Sequence, residues 1–271
     1  MSAIRTLKAI FSNRKLIIEL AKSDFRKQFV GSYFGIVWMF VQPIVTVLIY
    51  FFVFQLVFGS TAPVPGVPYV LWLIPGIVPW FFFSDALNSG TRCLFEYNYL
   101  VKKVVFQVEI LPVVKVASNF IVHLIFVLIM IAVFLCYGWM PTLHWIQILY
   151  YSGAVFMLAL SIVYITSAIN AFFKDMSQIV GIMLQFGMWL TPIMWYVDQF
   201  ADKSFYPFVS QVIKLNPMYY IVAGYRDTLL SNSWFWQRPM LTLYYWLFVA
   251  VMFFLGNKIF AKLRPHFSDV L

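Results

Sequence analysis

Few residues in this 271-residue chain have the types and spacing that chemistry requires. No glycine is followed by lysine, so the phosphate-cradling loop with its nucleotide-binding lysine is absent. His123, His144 and His266 stand one to a segment, without a His-Glu-x-x-His or paired-cysteine motif to hold a metal. Cys93 and Cys136 lie apart in apolar surroundings and read as packing residues. A membrane-embedded glycan-processing enzyme needs a carboxylate or histidine constellation. Asp198, Asp202 and Asp227 are the acids available for one, and that reading stands as the alternative.

Asp85 is the most interesting lone acid, because intramembrane carboxylates often mark proton or ion pathways. Counting from Tyr69 places it roughly 24 Å along its helix. With Asn88 one turn further on, it reads as an interfacial anchor. Chains of ionisable residues and internal repeats, which an ion-coupled carrier favours, are otherwise missing. Aromatic residues make up 21% of the chain, enough for an interfacial belt and more. Helical aromatic stripes ordinarily pack, but a flat ring also pairs with the apolar face of a pyranose. Trp38, Tyr50, Trp189, Trp195 and Tyr196 are the candidates for that role.

The elements that must position these residues are membrane helices. Hydrophobic residues are 63% of the chain and charged residues 11%, against about 25% charged in soluble proteins. Residues 28–84 and 116–173 carry no charge, and each run holds two crossings of about 20 residues. Strict alternation is absent, which argues for helices over a barrel. No short apolar core with a small-residue cleavage site is apparent, so no removable signal peptide is expected.

The fold class expected is all-α integral membrane, with an N-terminal amphipathic interfacial helix in residues 1–30 and six transmembrane helices. From about Asn13 to Val30, Ile17, Ala21, Phe25 and Phe29 share one face, while Lys15, Glu19, Lys22 and Arg26 share another. Crossings are expected over 35–58, 69–91, 112–137, 145–173, 177–196 and 239–260. The charged stretch 92–111 joins the second to the third. The stretch 197–238 is expected to hold short re-entrant helices, one of them starting where Asn216 caps and Pro217 takes the first helical position. This layout puts fifteen of the 19 Lys and Arg residues inside, leaving Lys203, Lys214, Arg226 and Arg238 outside. The positive-inside rule then places both termini in the cytoplasm.

Asp24, Phe25, Arg26, Ser32, Gly35, Trp38 and Pro43 form the pattern D-F-R…S-x-x-G-x-x-W-x-x-x-x-P. It resembles the entry to the first crossing in the permeases of polysaccharide-exporting ABC transporters, the exporters of O-antigen, capsule and wall teichoic acid. Further similar stretches are Asn98 to Pro112, Lys174-Asp175, Asn216-Pro217 with Arg226 beyond, and the closing Arg-Pro-His-Phe-Ser-Asp-Val-Leu. The resemblance covers essentially the whole chain, as one permease domain over 1–271. The loop Gly-Val-Pro-Tyr-Val and the Phe-Ser-Asp ending are similar to teichoic acid permeases in particular.

The resemblance implies a transport subunit in the bacterial plasma membrane that pairs with a second copy of itself and docks two ATP-binding subunits. ATP and Mg belong to those partners, with no cofactor on this chain and no nucleic acid involved. Its cargo is lipid-linked polysaccharide. The segment 92–111 becomes the coupling segment, with Tyr99, Leu100 and Phe106 as anchors and Lys102 and Lys103 as rim charges. Lys22, Arg26 and Lys27 suit a pyrophosphate-linked head entering from the inner leaflet, though attraction to anionic lipid accounts for them equally. The first and fifth crossings wall the conduit, which puts Tyr50, Trp189 and Trp195 on the path and Trp38 nearer its inner mouth.

Overall fold

The computed structural model describes residues 3–27, 33–102 and 107–271, and every regular element among them is helical. Phe29, Val30, Ser32, Lys103 and Phe106 lie outside the described residues. The expected interfacial helix is two helices, α1 (Ala3–Ser12) and α2 (Arg14–Lys27), divided at Asn13. The Asn13 amide donates to the Ala9 carbonyl at 2.8 Å and to Gln107 Oε1 at 2.9 Å. Asparagine favours such local bonds over helix continuation. α2 buries Ile17, Ala21 and Asp24 and leaves Lys15, Glu19, Lys22, Arg26 and Lys27 exposed.

The stretch Gly35–Val57 is one long helix, α3, opening in a 3-10 turn, continuing as α-helix from Trp38 to Tyr50 and ending in a wider π coil. Then come α4 (Tyr69–Thr91), two short turns α5 (Cys93–Glu96) and α6 (Asn98–Val101), α7 (Ile110–Cys136) and α8 (Gln147–Asn170). They are followed by α9 (Met176–Leu190), α10 (Tyr206–Lys214) and α11 (Pro217–Arg226), which runs on as a π coil to Ser231. The chain closes with α12 (Pro239–Leu263) and α13 (Phe267–Val270).

Among the described residues, five helical stretches are long and apolar enough to cross a membrane: Gly35–Val57, Tyr69–Thr91, Ile110–Cys136, Leu143–Asn170 and Pro239–Val270. The remaining expected crossing, 177–196, contains α9, a shorter helix of 15 residues. At 1.5 Å per residue it reaches about 22 Å, less than the ~30 Å hydrocarbon core. The cause is Pro192, which has no N–H and pushes the preceding residue out of helical geometry. Thr191 accordingly has extended backbone, φ −83° and ψ 125°.

α4 and α8 form the interior, with α7, α11 and α12 packed around them. In the most apolar stretch of α4, 78% of residues are buried, although Pro75 and Pro79 interrupt its hydrogen bonding. Thr91 donates to Thr166 at 2.8 Å, joining α4 to α8, and Tyr245 OH donates to the Ala154 carbonyl at 2.7 Å, joining α12 to α8. Close approach between α11 and α8 requires glycine at 224, where a Cβ would stand 2.1 Å from the Tyr151 ring. In α3 the corresponding buried share is 6%. Most of its apolar side chains face outward, uncovered by the other described elements.

Candidate functional site

One end of the bundle gathers charge. Lys115, in the first turns of α7, places Nζ 2.8 Å from Asp24 Oδ1 on α2 and 2.5 Å from Glu96 Oε2 on α5. Tyr97, between α5 and α6, donates to the same Asp24 oxygen at 2.7 Å. A buried ammonium is tolerated when paired and hydrogen-bonded, and here that requirement ties α2, the short turns and a membrane helix to one point. Arg264 pairs with Glu109 beside it, fastening the end of α12 to the start of α7. Lys174 sits 5.6 Å above the Phe95 ring, which brings the α8–α9 turn to the same end.

The coupling residues expected from the sequence separate by role. Tyr99 is 50% exposed and Lys102 is exposed, while Leu100 is half-buried against the core. Tyr99 is therefore the side chain free to meet a partner, and Leu100 holds the turn to its own chain. Lys22, Arg26 and Lys27 stay on the outer face of α2, apart from the Lys115 cluster. The sequence reading passed over the cluster itself. Its signal was present in the positions of two misfits: Asp24 falls on the apolar Ile17–Ala21 face, and Lys115 interrupts a run of apolar residues.

The aromatic candidates occupy two places. On α3 and α9, Trp38 is 51% and Trp189 58% exposed, and Tyr50 OH meets Met188 Sδ at 3.6 Å. That contact is where α3 and α9 touch, and each of the two helices packs on α4. Trp195 and Tyr196 belong to the turn after α9. Trp195 Nε1 donates to the Trp189 carbonyl at 3.1 Å, and Tyr196 meets Trp72 edge to face at 6.3 Å.

That turn is held at the end of the bundle opposite the charge cluster. Arg226 of α11 donates to the carbonyls of Trp72 at 3.1 Å and of Pro192 and Ile193 at 2.6 Å each, and lies 3.5 Å over the Trp72 ring. A planar fork of five donors suits such a staple. Asn216 Oδ1 accepts from the Met218 N–H at 3.0 Å, capping α11 ahead of Pro217, and its amide donates to Thr191 at 2.8 Å. A cavity of about 640 Å³ opens beside the staple, with Asp227 paired to Arg238 at its rim. Near it Tyr206 donates to Asp198 at 2.7 Å, a bond that raises the phenol above its ordinary pKa.

Among the described residues no three His, Cys, Asp or Glu side chains converge as metal ligands. What the helices build is a multi-pass membrane bundle, charged at one end and stapled at the other. Residues 15–230 match the model described as ABC-2 type transporter, and the chain belongs to that membrane family. It is 26% identical over 268 residues to the O-antigen export system permease protein RfbA of Myxococcus xanthus, spanning 98% of this chain and 99% of that protein. It is 30% identical over 264 residues to the protein of the same name in Klebsiella pneumoniae, spanning 94% and 95%. Family membership makes this chain a transport component rather than an enzyme, one that sits in a membrane and works with an ATP-binding partner.

Proposed function

We propose that this chain is the membrane-spanning subunit of an ATP-driven exporter that moves lipid-linked polysaccharide of the O-antigen type across the cytoplasmic membrane. The relatives' names favour O-antigen over wall teichoic acid as the cargo. The observation that carries the reading is the uncovered apolar wall that α3 and α9 present, both packed on α4. Tyr50 and Met188 join the two helices, yet Leu48, Phe52, Met183 and Phe186 remain more than half exposed on them. A second copy related by a twofold axis would cover that wall and enclose a path. Trp38, Tyr50 and Trp189 would face the sugars there, with Trp195 and Tyr196 at the outer exit.

In this reading both termini and the Lys115 cluster lie in the cytoplasm, and α9 with the turn after it completes a sixth, stapled crossing. α10 and α11 are the re-entrant pair. Tyr99, Lys102, Lys103 and Phe106 would form the seat for one of two ATP-binding subunits, which hold ATP and Mg, with Leu100 holding the turn that carries them. Lys22, Arg26 and Lys27 would receive the anionic head of the lipid carrier. The test is affinity purification of the tagged chain in mild detergent, followed by mass spectrometry and ATPase assay with lipid-linked O-antigen. A stoichiometric ATP-binding subunit with glycan-stimulated hydrolysis is expected. A lone chain without ATPase activity would overturn the reading.

A further inference from the structure

A second cavity, of about 340 Å³, lies between α3, α4 and α7. Trp38, Gln42 and Thr46 reach it from α3, Asp85 from α4, and Asn119 and His123 from α7. All three helices have membrane-spanning length and composition, so these polar groups surround a space within the apolar thickness. Asp85 is exposed to it, and no described side chain meets its carboxylate; Ser89 bonds the Asp85 backbone carbonyl instead. The Gln42 amide and the Trp38 indole N–H likewise have no hydrogen bond among the described residues. His123 is 2% exposed. Its Nε2 lies near Ser152 and Tyr225, while Nδ1 is buried without a partner.

Unpaired polar groups in a membrane interior are costly and mark sites of function. Three of them, Asp85, Gln42 and Trp38, face one open space where an occupant can pair them, and His123 is buried behind it. The sign of the charge selects its chemistry, since a carboxylate repels phosphate but accepts strong hydrogen bonds from hydroxyls. An indole face and carboxamides complete the usual complement for a sugar ring. The volume is near the lower end of the roughly 300–1,000 Å³ range for small-molecule sites, which suits one or two rings and not a polymer. Arg92 follows Asp85 by seven residues, on the same face of α4 and about 10 Å nearer the basic end. An anionic group at the headgroup plane would sit there, below the sugar.

We propose that this cavity is a reception site for the lipid-proximal sugar of the exported glycan, with Asp85 as the residue that selects a hydroxylated head. The proposal rests on the exporter reading and replaces an interfacial anchor with a sugar acceptor. It is tested on the permease with its ATP-binding subunit in nanodiscs, using short-chain polyprenyl diphosphates bearing a single hexose, a single N-acetylhexosamine or no sugar. The wild type is expected to bind at least one glycosylated probe about tenfold more tightly than the bare lipid, the factor that one charge-assisted hydrogen bond supplies. Asp85→Leu and Gln42→Ala should each bring that preference close to unity while leaving bare-lipid binding and basal ATPase unchanged. Preference retained in both variants would overturn the proposal, as would no preference in the wild type or an equal loss for bare and glycosylated probes. If Asp85→Leu fails to assemble, Gln42→Ala on the outlying helix decides. Absence of any ATP-binding partner would instead sink the exporter reading, and the probe preference would still judge the cavity.

Discussion

Lys115 Nζ lies 2.8 Å from Asp24 Oδ1 with both side chains 7% exposed, so the amphipathic helix α2 and the membrane helix α7 share one buried ion pair. Glu96 joins from the short turns between them. Removing the two partners should not be equivalent. Lys115→Met strands Asp24 as a buried charge and is expected to cost about 3–5 kcal/mol. Asp24→Asn leaves Lys115 paired with Glu96 and should cost less. Thermal unfolding of the detergent-purified protein checks the order, and equal losses would place the stabilisation elsewhere.

Arg226 directs its guanidinium to three backbone carbonyls, on α4 and on the turn after α9. Lysine carries a single ammonium and cannot span them. Arg226→Lys should therefore lower stability by about 2 kcal/mol and reduce export. Tryptophan fluorescence should change as well, because Trp72 and Trp195 lie on the joined segments. A variant with wild-type stability and spectrum would show that the turn holds without the staple.

Gly224 lets the Tyr151 ring approach where any Cβ would collide. Gly224→Ala is expected to destabilise by about 1–3 kcal/mol, the usual range for overpacking. In a Tyr151→Ala background the same change should cost much less. Without that coupling in a double-mutant cycle, the contact would not be what demands glycine.

Tyr99 and Leu100 are neighbours with opposite surroundings. Tyr99→Asp should weaken recovery of the ATP-binding subunit while leaving the melting temperature unchanged. Leu100→Asp should lower the melting temperature first, because it puts a charge against the core. Comparing pull-down yield with thermal stability separates the two, and a stable Leu100→Asp chain that loses its partner would reassign Leu100 to the docking face.

What could be read from sequence was local. The Asn216-Pro217 cap is legible because its bonds close within two residues. The Ile17–Ala21 face of α2 is legible because helical spacing reports burial. Contacts that join distant segments were not, such as Arg226 with Trp72, 154 residues away. The end of α9 was obscured for a different reason. Hydropathy stays high through Ile193, Met194 and Trp195, so composition carries the reading past Pro192 although that residue alone stops the helix. Asp85 was placed by counting depth along one helix. A count of that kind cannot show that Gln42 and His123 come to the same space from two others.

The prolines of α4 bear on how the chain is assembled. Pro75 and Pro79 stand four residues apart and so remove rungs on one side of the helix. In lipid, the carbonyls left without donors have no water to turn to. α4 precedes α7 and α8 in synthesis, yet it depends on them for the packing that makes it the interior of the molecule. Newly made α4 therefore lacks that packing until α7 and α8 follow it into the membrane.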